Sequence, residues 1–132
     1  MSNDTVGFGV IGLGMGAGRA KLITQTAGAQ LVAVADLNEE RGRKASEEHS
    51  VDWYDDYRRL LDRADIDVVM VMTPSGTHGD FTLEAAKAGK HVISTKPIDV
   101  SLERADNMIA ACREAGVILA VDFEARYMKD NV

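Results

Sequence analysis

The chain has 132 residues, 45% of them hydrophobic and 27% charged, with 15 basic against 21 acidic side chains for a formal charge of −6. That length suits one domain over residues 1–132, able to bury roughly 65–70% of the surface its unfolded form exposes. A single cysteine, Cys112, excludes an internal disulfide and any multi-cysteine zinc site, and no metal site is expected. The lack of a basic stripe argues against nucleic acid, and the lack of a signal segment or long apolar span argues against a membrane, so a reducing cytoplasm is the expected compartment.

The first apolar run, Val6–Ile11, has the length of a buried strand, and the glycine-rich turn Gly12-Leu13-Gly14-Met15-Gly16-Ala17 follows it directly. Helical spacing then puts Ala20, Ile23 and Ala27 on one face. Leu31–Ala35 is the second strand and ends on Asp36. Glu39–His49 predicts an exposed helix, supported by Glu39 to Arg43 and Glu40 to Lys44 at the i,i+4 spacing. Val51–Trp53 reads as a short edge strand and Tyr54–Leu61 as a short helix. Val68–Met72 is the fourth strand, followed by Thr73-Pro74-Ser75-Gly76-Thr77-His78, in which Pro74 stops the strand and Thr77 is placed to cap a helix carrying Phe81, Ala85 and Ala88. Val92–Ser94, a helix carrying Leu102, Ala105, Met108, Ile109 and Cys112, and Val117–Val121 complete the series. Ala27-Gly28, Ala88-Gly89 and Ala115-Gly116 each mark a helix end at which glycine takes the left-handed position. His49 and His91 read as structural.

Strand and helix alternate throughout, which predicts parallel strands joined by right-handed crossovers. The expected fold is α/β, three-layered, with a doubly wound parallel sheet of six strands in the order 3-2-1-4-5-6, and with a ligand crevice at the carboxyl ends of strands 1 and 4.

The glycine turn alone is weak, but its context between a strand and a helix is the one a dinucleotide requires. Gly12 permits the tight turn, and Gly14 lets backbone N–H groups approach a pyrophosphate at the positive end of the helix. Ala17 takes the third position of the pattern, where helix and strand pack closely; for Gly16 and Gly18, looseness of the turn and ligand contact both stay open. Asp36 lies about 20 residues on, where a carboxylate accepts the adenosine ribose hydroxyls; a helix N-cap or a turn acid is its other reading. An acid there favours NAD over NADP, since it repels a 2′-phosphate, and the nearest offsetting cation is Arg41, whose other reading is a charge paired on its own helix surface. S-adenosylmethionine-dependent methyltransferases share the turn and the acid but usually end in an antiparallel hairpin.

Three later segments, Thr73-Pro74-Ser75-Gly76-Thr77-His78, Ala88-Gly89-Lys90-His91-Val92 and Thr95-Lys96-Pro97, narrow the field. In this order, and over essentially all of the chain, they resemble the N-terminal Rossmann domain of the Gfo/Idh/MocA oxidoreductases, the glucose-fructose oxidoreductase and inositol dehydrogenase family. The resemblance implies NAD(P) binding through Gly12, Leu13, Gly14, Met15, Gly16 and Ala17, through Asp36 and Leu37, and through Thr73, Pro74, Ser75, Thr77 and His78. It places Lys96 and Pro97 beside the nicotinamide, with Lys96 as the catalytic residue that assists hydride transfer to or from a sugar or polyol, and Arg126 at the edge of the active site. A solvated strand-end lysine is the other reading of Lys96, and a loop histidine bonded to backbone the other reading of His78. The motif's glutamate is Thr95 here, which leaves Lys96 without an adjacent carboxylate.

In the family an α/β substrate and oligomerisation domain follows, and it is absent from these 132 residues. The expectation is therefore a domain that binds cofactor with little or no turnover, since hydride transfer needs an oriented acceptor and an acid or base within reach. A non-catalytic nucleotide binder or sensor, or half of a two-chain enzyme, is the alternative. The last strand's edge and the segment Phe123 to Met128 would be bare, so a homodimer is expected.

Overall fold

A computed structural model describes residues 5–95 and 101–122. The strands are apolar on both faces, so both faces must be covered, and the chain does this by placing a helix after almost every strand. In order these are β1 (Val6–Ile11), α1 (Gly16–Thr24), β2 (Ala29–Ala35), α2 (Glu39–His49), β3 (Asp52–Tyr54), α3 (Tyr57–Leu61), β4 (Val68–Val71), a single 3-10 turn (Ser75–Thr77), α4 (His78–Lys87), β5 (His91–Thr95), α5 (Leu102–Ala115) and β6 (Leu119–Asp122). The sheet has six strands in the order β3-β2-β1-β4-β5-β6, all parallel, as the alternation predicts.

Neighbouring residues along a strand face opposite sides, and the core divides accordingly. Val10, Val34, Met70 and Met72 pack with Ala20, Ile23 and Ala45 under α1 and α2. Ile11, Ala35, Val69, Val71 and Val92 pack with Leu60, Ala85 and Cys112 on the other face. Burial pushes the Cys112 thiol up from its ordinary pKa, in keeping with an inert core residue. Lys90 is also buried, with its ammonium donating to the carbonyls of Arg63 (2.6 Å) and Ile66 (2.8 Å). The Ile118 N–H donates to His91 Nδ1 at 3.0 Å, so this histidine is part of the frame.

Several boundaries differ from the apolar pattern, each for a local reason. Helix α1 stops at Thr24, because the hydroxyls of Thr24 and Thr26 turn back to the carbonyls of Lys21 and Leu22. Ala27 therefore lies off the helix and is exposed, and Gly28, with φ of +82°, belongs to the turn into β2. Ala88 is likewise exposed at the end of α4, while Gly89 and Gly116 do adopt positive φ after their helices. Helix α3 starts at Tyr57, since Asp56 caps it by accepting the Arg58 N–H at 3.0 Å. On α5 the buried stripe is Ala105, Met108 and Cys112, whereas Leu102 and Ile109 are exposed. Glu39 and Arg43 pair at 2.7 Å on α2, but among the described residues Glu40 and Lys44 do not.

Candidate functional site

The site begins where β1 ends. Gly12 has φ of +94°, its N–H donates to the carbonyl of Ala35 at 2.9 Å, and a Cβ there would lie 2.7 Å from the carbonyl oxygen of Met72. Only glycine fits this turn, which wedges the chain between the ends of β2 and β4. Met72 N–H in turn donates to Ile11 at 2.8 Å, so the two strand ends are locked at the switch point of the sheet.

Past the turn, Gly14 is exposed, and the nearest atom to a Cβ built on it is Arg41 Nη1 at 3.5 Å. Close packing of helix on sheet falls to Gly16, where a Cβ would meet Val10 Cγ1 at 3.0 Å and Met72 Cβ at 3.1 Å. Ala17, which the spacing of the pattern assigns to that packing, is exposed instead. The start of α1 decides this: its first residue, Gly16, faces the sheet, and the next one is turned away by a helical step.

The amino ends of the helices differ in a way that matters for charge. Asn38 caps α2 by accepting the Arg41 N–H at 3.0 Å, with Glu39 and Glu40 in its first turn. Ser101 caps α5 by accepting the Arg104 N–H at 3.1 Å, with Glu103 following. Helix α1 has Met15 at the cap position, no side-chain cap bond and no acid in its first turn. Its positive end is left for something else.

Asp36 closes the next side. Its Oδ2 accepts the Leu13 N–H at 2.7 Å and its Oδ1 accepts the Asn38 N–H at 2.8 Å. It is thus not the cap of α2, though it does act as a turn acid toward the N–H two residues on, and its carboxylate is held against the glycine turn with further lone pairs to offer. Leu13 itself is buried beneath the turn, and Leu37 is almost fully exposed beside the acid.

The loop after β4 forms the third wall. Thr77 stands at the cap position of α4 but makes no cap bond; its hydroxyl donates toward the carbonyl of Pro74 (2.6 Å) and lies 2.7 Å from Thr73 Oγ1. His78 is fully buried, with Nε2 at 2.7 Å from the Thr73 carbonyl oxygen. Ser75 opens the 3-10 turn.

These walls enclose a cavity of about 650 Å³. It brings together Gly12, Gly14, Met15, Asp36, Leu37, Thr73, Pro74 and Thr77 from the sequence-predicted set. Lys96, Pro97 and Arg126, and the segment from Phe123 to Met128, lie outside the described residues. The structure adds lining residues that sequence reasoning passed over: Asp55, Asp56, Tyr57, Arg58 and Phe81. Tyr57 meets Phe81 edge-on with centroids 4.8 Å apart, and the Arg58 guanidinium lies 4.8 Å from the Tyr57 ring centre. Burial raises the Tyr57 pKa above its ordinary value. Arg41 also lines the cavity, and among the described residues its guanidinium has no acidic partner, so it is not a surface pair.

The polar groups fit a dinucleotide: an uncapped helix end for phosphate, an exposed Gly14 with the Arg41 guanidinium alongside, and a fixed carboxylate for ribose hydroxyls. No helix among the described residues is long and apolar enough to cross a membrane.

The chain is 37% identical over 121 residues to scyllo-inositol 2-dehydrogenase (NAD(+)) of Bacillus subtilis, covering 89% of this chain and 35% of that protein. It is 36% identical over 122 residues to myo-inositol 2-dehydrogenase of Thermotoga maritima, covering 91% and 36% respectively. The WlbA dehydrogenase of Bordetella pertussis, crystallised with NADH and UDP-GlcNAcA, superposes with a TM-score of 0.90 at 31% identity, over 96% of this chain and 39% of that one. The chain thus spans about a third of the length of the curated relatives it matches. Residues 6–123 match the oxidoreductase family with the NAD-binding Rossmann fold, and the chain belongs to that Gfo/Idh/MocA family.

Proposed function

We propose that these residues hold the dinucleotide of an oxidoreductase that moves hydride between a nicotinamide cofactor and a sugar or polyol. The observation that carries the reading is the meeting, around one cavity, of the uncapped α1, the exposed Gly14 and the fixed Asp36 carboxylate. The bound dinucleotide supplies the carbon that gives or takes hydride. The chain's part is to hold the pyrophosphate on the turn from Gly12 to Gly16, to accept the adenosine ribose hydroxyls on Asp36, and to bound the nicotinamide end with the loop from Thr73 to His78. Lys96 is assigned to the reacting end by the resemblance, as are Pro97 and Arg126.

The preferred cofactor in this reading is NAD, because the Asp36 carboxylate repels a 2′-phosphate. Arg41 works against that preference from the far side of the turn, which reduces the discrimination. Isothermal titration with NAD and NADP tests the whole assignment. The expected result is binding of both with NAD tighter, and a loss of about tenfold or more for NAD in Asp36→Ala, from two charge-assisted hydrogen bonds. No heat with either cofactor at millimolar concentration overturns it.

The same reading holds that the 132 residues by themselves bind cofactor without useful turnover, and that the protein works in the cytoplasm. It also takes the outer edge of β6, beside the exposed Ile118, as a surface for a second copy. Light scattering that shows a monomer at high concentration removes the dimer.

A further inference from the structure

The chain's one tryptophan is next to the acid of the site. Trp53 lies on β3, half-buried against the core under α2, and its indole Nε1–H donates to the main-chain carbonyl of Asp36 at 2.9 Å. The Asp36 N–H donates to the carbonyl of Tyr54 at 3.2 Å. With the two carboxylate bonds to Leu13 and Asn38, the backbone and the side chain of Asp36 are both tied down. The indole is the one side chain among these partners.

A second observation shows that the indole's seat is built for it. Gly42 is buried inside α2, where glycine is the poorest residue after proline. A Cβ at that position would lie 2.1 Å from Trp53 Nε1 and within 2.4 Å of two further indole atoms. Any other residue at 42 would push the ring away from Asp36. Helix propensity gives no reason for glycine here, and the indole does.

We propose that Trp53 is a positioning residue for Asp36. By fixing the carbonyl of Asp36 itself, one residue past the end of β2, it holds the main chain that bears the acid and so aims the carboxylate at the ribose hydroxyls. Gly42 is the other half of the device, since it admits the ring. This rests on the reading of Asp36 as the ribose acid, and the experiment separates the two.

NAD is titrated calorimetrically into the wild-type chain and into Trp53→Phe, Gly42→Ala, Asp36→Asn and the Trp53→Phe/Asp36→Asn double variant, each checked for folding by thermal melting. Trp53→Phe keeps an aromatic ring but has no donor, and is expected to weaken NAD roughly five-fold, the value of one lost hydrogen bond. Gly42→Ala is expected to weaken NAD by a similar factor, although alanine favours the helix, and to shift the Trp53 emission as the ring leaves its seat. The double variant is expected to bind no more weakly than Asp36→Asn, because the indole acts through the acid. A merely structural role predicts the same loss in both backgrounds, and that result overturns the proposal. So does wild-type affinity in Trp53→Phe, or wild-type affinity and emission in Gly42→Ala, which also covers a Trp53→Phe chain that does not fold. If Asp36→Asn itself binds NAD as the wild type does, the ribose reading falls and takes this one with it. If Asp36→Asn weakens binding and Trp53→Phe does not, only the role of Trp53 falls.

Discussion

Where β1 and β2 end, polar groups are left facing the cavity: the amino end of α1 has no cap and no acid, Arg41 has no acidic partner among the described residues, and Asp36 is held with its carboxylate facing outward. Where β4 ends, the polar groups satisfy one another instead. Thr77 bonds Pro74 and Thr73, and His78 is buried against the Thr73 carbonyl. One half of the crevice is thus a receptor for charge and hydroxyls, and the other is a braced wall. The division suits a ligand whose phosphates and ribose need specific partners at one end and whose ring needs a defined surface at the other.

The sharpest way to break this contrast is at the point where the halves meet. Gly12→Ala would put a Cβ 2.7 Å from the Met72 carbonyl oxygen on a backbone with φ of +94°. The expected loss is about 3 kcal/mol of stability, combining backbone strain with a clash against main chain, together with loss of NAD binding. Urea unfolding and calorimetry check both. A variant as stable as the wild type would mean that the turn can move aside.

The braced wall predicts a different signature. His78→Ala removes a fully buried ring and its bond to the Thr73 carbonyl, and is expected to cost about 2 kcal/mol in stability. Its effect on NAD affinity should be smaller than that of Asp36→Ala. A larger effect on affinity than on unfolding would move His78 from the wall to the receptor.

How much of this was legible in the sequence depends on how local the cause was. The six strands and their order followed from apolar runs with glycine and proline between them, because buried parallel strands have little freedom of composition. Asp36 was legible because its position relative to the glycine turn is fixed by the βαβ unit. The packing role of Gly16 was not, since it depends on the residue at which α1 starts, and the GxGxxG spacing pointed to Ala17. In the sequence Trp53 is only the end of an edge strand, and Gly42 only one position within an exposed helix. Only the packing of α2 over β3 joins them. Arg41 was visible as a charge, but whether it paired on its helix or leaned toward Gly14 was a matter of side-chain direction.

Arg41→Ala sharpens the receptor half. With no acidic partner to lose among the described residues, stability should be unchanged within about 0.5 kcal/mol. Cofactor affinity should fall about three-fold, and by a factor that shrinks as salt rises. Titrations at two ionic strengths check this. Equal affinity in both proteins at low salt would show that the guanidinium makes no contribution to holding phosphate.

The smallest expected effect lies at the amino ends of the strands, away from the crevice. Arg63 binds both oxygens of Asp65 (2.9 and 2.8 Å), pairs with Asp52 and reaches the Tyr54 hydroxyl at 3.2 Å, joining β3 to the connection before β4. The hydrogen bonds from Arg63 hold the Asp65 carboxyl below its ordinary pKa. A depressed folded-state value means that the pair stabilises the fold fully above the ordinary carboxylate pKa of about 4. The contribution is lost as pH falls from there through the lower folded value, where the native carboxylate finally takes a proton. Asp65 is more than half exposed, so solvent screens the pair, and Asp65→Asn should cost only about 0.5 kcal/mol at neutral pH. The difference between wild type and variant should close on acidification, with NAD affinity at neutral pH the same in both, because the network reaches Asp36 only through the Tyr54 main-chain carbonyl, which Asp65→Asn leaves in place. A gap in stability that persists at pH 2 would mean that packing, not charge, joins the two segments.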